Sequence, residues 1–136
     1  MPLVLSEEID ARTLAPEDIE VTTRVGDKGR VRCVSLRPAD EPGELRTILL
    51  VGDLGSSGDP PARVRVVGDV RSLDGSVNFR GATALVIPLE AGPTLVLAEV
   101  VARDKWRLGG KGDCPAKGLA GIVRVTWAGG VTKPEG

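Results

Sequence analysis

The sequence predicts an all-β chain of antiparallel strands, folded as a sandwich or a barrel, and three observations carry that expectation. Short runs rich in Val, Leu and Ile, about five to eight residues each, recur along the 136 residues and are cut off by Gly, Pro, Asp or Ser. Hydrophobic residues make up 41% of the chain but aromatics only 2%, so the interior must be aliphatic. Val, stiff at its branched β-carbon, favours strands over helices. No segment reads as a long helix, and the runs amount to seven or eight strands.

Taken in order, Leu3–Leu5 opens the first strand, and residues 10–18 read as a loop with one helical turn, Thr13 capping and Pro16 restricting extension. Residues 19–25 are extended. Gly26-Asp-Lys-Gly29 is a tight turn whose glycines can take positive φ, joining that strand to Val31–Arg37 as an antiparallel neighbour. Leu45–Val51 is apolar at consecutive positions, which predicts a strand buried on both sides or central. Gly52–Pro61 is a flexible connection. In Arg63–Val67, arginines alternate with valines, as a strand with one wet face requires. Ser72–Ser76 is a turn. Ala82–Leu89 and Thr94–Val101 then read as a hairpin around Glu90-Ala-Gly-Pro93. Residues 103–120 form a charged, Gly-rich insertion. Ile122–Trp127 is the last strand, with Val123, Val125 and Trp127 on one face and Trp127 expected in the core. Val131–Gly136 reads as a frayed tail.

The length fits one domain spanning residues 1–136 and able to bury a core without metal or several disulfides. A net charge of -1 provides no long-range field for polyanions, which disfavours generic nucleic-acid binding. There is no His and no Tyr, so most of the usual apparatus for acid–base and metal chemistry near neutral pH is missing. Arg outnumbers Lys, Gln is absent and Asn78 stands alone; a thermostable, thermophilic protein and a GC-rich bacterial genome both fit that pattern. No apolar stretch has the length of a membrane span and no export leader is expected. Cys33 in a strand and Cys114 in the Gly-rich segment can pair as a disulfide or stay as two thiols.

The opening Leu5-Ser-Glu-Glu-Ile-Asp-Ala-Arg-Thr-Leu-Ala-Pro-Glu-Asp-Ile-Glu-Val-Thr-Thr23 resembles the start of bacterial immunoglobulin-like domains of the surface-layer type: a strand, Ser-Glu-x-Ile-Asp, a Thr-Leu turn and a second strand. The stretches 77–82, 88–99 and 125–130 look like parts of uncharacterised bacterial proteins with such a beginning. The resemblance implies an antiparallel Ig-like β-sandwich, secreted or held at the cell surface, acting as a spacer, adhesion module or part of a surface assembly. It supplies no catalytic residue, and a cytoplasmic location stays open. The insertion at 103–120 departs from the length of such domains.

The function this reading favours is a non-catalytic binding or structural module with a protein or glycan partner. Exposed sheet edges could also give a homodimer by strand addition. A histidine-free hydrolase is the alternative, with Ser56 and Ser57 in a glycine loop and Lys111 as the base; Gly55-Ser-Ser-Gly58 is not a nucleophile elbow. A calcium-stabilised adhesion module is the second alternative. Asp53, Asp59, Asp69 and Asp74 lie in turns that one end of a sandwich can bring together, and carboxylates are the hard ligands calcium prefers. Their spacing is not that of an EF-hand, and Asp beside Gly also belongs to ordinary turns. Trp106, beside Lys105 and Arg107, is either an exposed anchor for a sugar or protein or a plug over an open end of the fold.

Overall fold

The computed structural model describes residues 1–105 and 120–128. Its eight strands are β1 (Pro2–Val4), β2 (Ile19–Thr23), β3 (Lys28–Ser35), β4 (Thr47–Asp53), β5 (Pro61–Val66), β6 (Thr83–Leu85), β7 (Thr94–Val100) and β8 (Val123–Ala128). Every strand pairing is antiparallel, and among the described residues no helix exceeds a 3₁₀ turn, so the chain is all-β. It divides into two compact units, Met1–Pro88 and Leu89–Gly136.

The first unit is one six-stranded sheet in the order β1-β4-β3-β2-β5-β6. Strands β2, β3 and β4 follow one another as neighbours, and β5 returns to lie beside β2, which is the Greek-key arrangement. The return passes beside the β2–β3 turn. There the Arg24 amide donates to the Pro60 carbonyl at 2.9 Å, and the Val25 amide donates to Asp59 Oδ1 at 3.0 Å. The turn closes with Gly26 at φ 99° and the Asp27 amide donating to Thr23 Oγ1, while Gly29, the other glycine expected in the turn, lies within β3.

Burial follows strand alternation. Ile19, Val21, Ile48, Leu50, Val64 and Val66 point to one side, where Leu5, Ile9, Val70 and Phe79 from the connections complete an aliphatic cluster. Glu20, Thr22, Arg63 and Arg65 take the other side, with both arginines exposed as expected. The edge strands β1 and β6 both contribute to one apolar groove of about 190 Å³, floored by Val64, Val66 and Phe79.

Three expectations are corrected and a fourth is narrowed. Strand β4 is central, between β1 and β3, one of the two arrangements its run of apolar residues allows, and it is buried on one side only: Ile48 and Leu50 are fully enclosed while Val51 is exposed. Its consecutive apolar residues reflect a half-buried Leu49 and an outward Val51, not two covered faces. In the 10–18 loop two 3₁₀ turns form, Ala11–Thr13 and Pro16–Asp18, and Asp10 caps the first by accepting from the Arg12 amide. Thr13 instead bridges the loop, donating to the Asp10 carbonyl and accepting from the Arg71 amide. The expected hairpin of residues 82–89 with 94–101 does not form. Strand β6 is only three residues long and pairs with β5, while β7 pairs with β8, because each finds its ladder partner in its own unit. Finally, Trp127 is exposed rather than core.

The second unit contains the two-stranded ribbon β7–β8, with Leu95 opposite Trp127, Ala98 opposite Val125, Glu99 opposite Arg124 and Val100 opposite Val123. The Val101 amide extends the ladder by donating to the Ile122 carbonyl at 2.9 Å.

Candidate functional site

Strand β3 carries one extra residue against β4, a bulge between Val31 and Cys33. Two residues, Arg32 and Cys33, therefore face outward in succession, so that Val31 and Val34, three apart, both pack on the core. The bulge also brings β3 close to β4. A Cβ at Gly52 would overlap the Arg30 carbonyl, so only glycine fits there. The consequence for Cys33 is an exposed free thiol. Its expected disulfide partner Cys114 lies outside the described residues, as do Trp106, Arg107 and Lys111.

Ser56 and Ser57 border an open hollow of about 470 Å³ with Leu50, Leu54 and Pro61. Ser56 Oγ accepts from the Asp59 amide at 3.1 Å, and the Ser56 amide donates to the Asp59 carbonyl, which is an ordinary turn closure. Among the described residues neither hydroxyl is hydrogen-bonded to a basic side chain.

The four loop aspartates are kept apart, each bound to donors of its own. Asp53 pairs with Arg32 at 2.6 Å, and Asp59 accepts from the Val25 amide. Asp69 Oδ1 accepts from Asn78 and from Arg80, both at 2.9 Å, and the Asn78 bond, followed by that of Arg80, holds its carboxyl below the usual carboxylate range. Asp74 Oδ1 takes three donors, the Ser76 hydroxyl at 2.7 Å, the Ser72 hydroxyl at 2.8 Å and the Ser76 amide at 3.0 Å. Those bonds, led by Ser76, lower its pKa from 3.8 to about 2. Among the described residues no three His, Cys, Asp or Glu side chains converge as a metal site would need.

What the sequence singled out as one apolar face of the last strand is the most unusual surface of the molecule. Directly opposed residues of an antiparallel ladder share a side, so Leu95, Ala98, Val100, Val123, Val125 and Trp127 form one face of the ribbon. All are exposed, from 42% at Val125 to 79% at Val100. Leu97, Glu99, Arg124 and Thr126 make the opposite face and are half-buried. A strand pair in water normally does the reverse, apolar in and charged out. The alternation Val123-x-Val125-x-Trp127 was readable in the sequence; which side of it meets water was not, because the period is the same either way.

Comparison with known proteins finds no matching family, no matching curated protein and no matching solved structure.

Proposed function

We propose that the chain is a non-catalytic binding and structural module of the surface-layer immunoglobulin-like kind, working outside the cell or on its surface, and that it joins a second copy of itself through the apolar face of β7–β8. The observation that carries this reading is the six-residue apolar face turned to water. At those exposures it presents on the order of 500 Å², the size at which a patch marks an interaction rather than scatter. An isolated two-stranded ribbon is marginal in water, so covering this face stabilises the element that carries it.

A second copy suits the chemistry of the face. It holds no charge, so the same patch can meet itself across a two-fold axis without like charges opposing each other. Such a pairing buries about 1,000 Å², enough for a specific weak dimer. Trp127, opposite Leu95, is the large anchor such an interface centres on. Sedimentation equilibrium over a range of concentrations tests the proposal. A concentration-dependent dimer is expected, together with a monomer for Val125→Glu. A parent chain that stays monomeric throughout, or a Val125→Glu variant that dimerises as the parent does, refutes it.

A further inference from the structure

The first unit carries a second surface, and it is charged. Thr22 on β2 lies directly opposite Lys28 on β3 and Arg63 on β5, and Glu20 lies opposite Arg65, so these side chains share the outer face of the sheet. Arg30, two residues beyond Lys28 on the same strand, is exposed on that face as well. Four cations, Lys28, Arg30, Arg63 and Arg65, therefore surround Glu20; Asp53, opposite Arg30 on β4, is paired with Arg32 at 2.6 Å, so these five cations and two carboxylates leave a surplus of three positive charges in a chain whose net charge is -1.

Pleated-sheet spacing sets the pattern. Residues two apart on one strand stand about 7 Å apart, and β3 and β5, separated by β2, stand about 10 Å apart. The cations thus occupy the corners of a rectangle on the pleated face. Glu20 is committed to Lys28 at 2.7 Å, and that bond, with Arg65 adding to it, holds its carboxyl below the usual range. Arg30, Arg63 and Arg65 form no salt bridge among the described residues. Hydroxyls interleave with them, Thr22 opposite Arg63 and Thr83 opposite Arg65.

We infer that this face binds an acidic polysaccharide, a chain bearing a carboxylate on its sugar residues. Each free guanidinium can grip a carboxylate with two parallel N–H donors, as a lysine ammonium cannot. The threonine hydroxyls between them match sugar hydroxyls. A regular array of cations on an open sheet face suits a regularly charged, extended polymer. Single-stranded nucleic acid fits less well, since among the described residues no aromatic side chain stands on the face to stack a base. An acidic protein fits less well too, since the face lacks the buried aromatic anchor on which protein contacts depend.

The experiment is calorimetric titration of the whole chain with a polygalacturonate decamer at low salt, beside a neutral glucan, a single-stranded oligodeoxynucleotide and a polyglutamate peptide of similar length. Binding of the polygalacturonate in preference to the other three is expected, weakening as salt screens the charges. Arg63→Gln/Arg65→Gln together, and Arg30→Gln alone, should each cost at least tenfold in affinity. Arg12→Gln, at an exposed ion pair with Asp10 away from this face, should cost nothing. All these side chains are exposed, so thermal melts of the variants should match the parent. No binding of the polygalacturonate, binding unchanged in the Arg30 and Arg63/Arg65 variants, or tighter binding of the oligonucleotide or peptide overturns the inference. None of these outcomes depends on the dimer, because the rectangle lies within one copy of the first unit.

Discussion

Replacing Leu50 by Ala, with Val51→Ala beside it, measures how one-sided the central strand is. Leu50 is fully buried on β4 among the aliphatic cluster, whereas Val51, its neighbour, is 49% exposed on the outer side. Leu50→Ala removes three buried carbons, worth about 2.4 kcal/mol in transfer free energy at about 0.8 kcal/mol each. The hole left behind raises the cost to about 3–5 kcal/mol, since a close-packed aliphatic core collapses only in part. Val51→Ala removes two carbons already half in water, so its cost is about 0.8 kcal/mol. Urea unfolding followed by circular dichroism reads both, and the linear slope should be unchanged while the midpoints separate. In a thermal melt Leu50→Ala should lose at least ~12 °C. Equal losses for the two variants would mean that both sides of β4 are covered, the other arrangement its run of apolar residues allows. The assignment of an outer and an inner side to the sheet would then be wrong.

At Gly52, Ala should destabilise by about 1–3 kcal/mol because its methyl meets the Arg30 carbonyl at the bulge, whereas Gly58→Ala, with open space around it, should leave the melting temperature unchanged. Asp74 has a folded pKa of about 2, below its ordinary value of 3.8; its contribution is therefore fully present above about pH 4 and lost as pH falls through about 2. Acid titration should show Asp74→Asn less sensitive than the parent across that window, and identical acid curves would refute the triple hydrogen bond. Cys33, exposed and unpaired, should react with a water-soluble thiol reagent in the native state, and Cys33→Ser should abolish that part of the reaction.

How much of this was legible depends on whether the signal lay within one strand or between two. The wet arginines of β5 were readable, because Arg63 and Arg65 alternate with Val64 and Val66 within four residues. Their partners in the charged rectangle were not. Lys28 and Arg30 are about 35 residues away, and only the Greek-key return of β5 to β2 sets them across one strand from each other. The bulge left a trace in Val31-Arg-Cys-Val34, two apolar residues three apart where a strand alternates by two, but the same spacing fits one turn of helix. Thr13 offered a capping residue, and so did Asp10. Geometry decided for Asp10, whose side chain reaches the Arg12 amide, while Thr13 serves a contact with residue 71 that no local pattern announces. The loop aspartates matched a metal-ligand composition. Their separation follows from each having donors two to eleven residues away, or on a neighbouring strand or turn, that composition alone does not assign.

The two surfaces differ in what the fold requires of them. In the first unit each core strand satisfies the ordinary rule, with Val21, Ile48, Leu50, Val64 and Val66 inside and charged side chains in water, so its exposed arginines cost the fold nothing and are free to serve a ligand. In the second unit the rule is inverted. Leu95, Val100, Val123, Val125 and Trp127 stay in water while Glu99 and Arg124 are half-buried, and among the described residues no further strand joins the ribbon to offset that cost. Removing an arginine from the charged rectangle should therefore alter binding and leave stability alone, whereas covering the ribbon must add stability as well as affinity, since the same apolar area is withdrawn from water in both. The proposed self-association thus couples to the folding of the element mediating it, while the proposed recognition by the basic face does not.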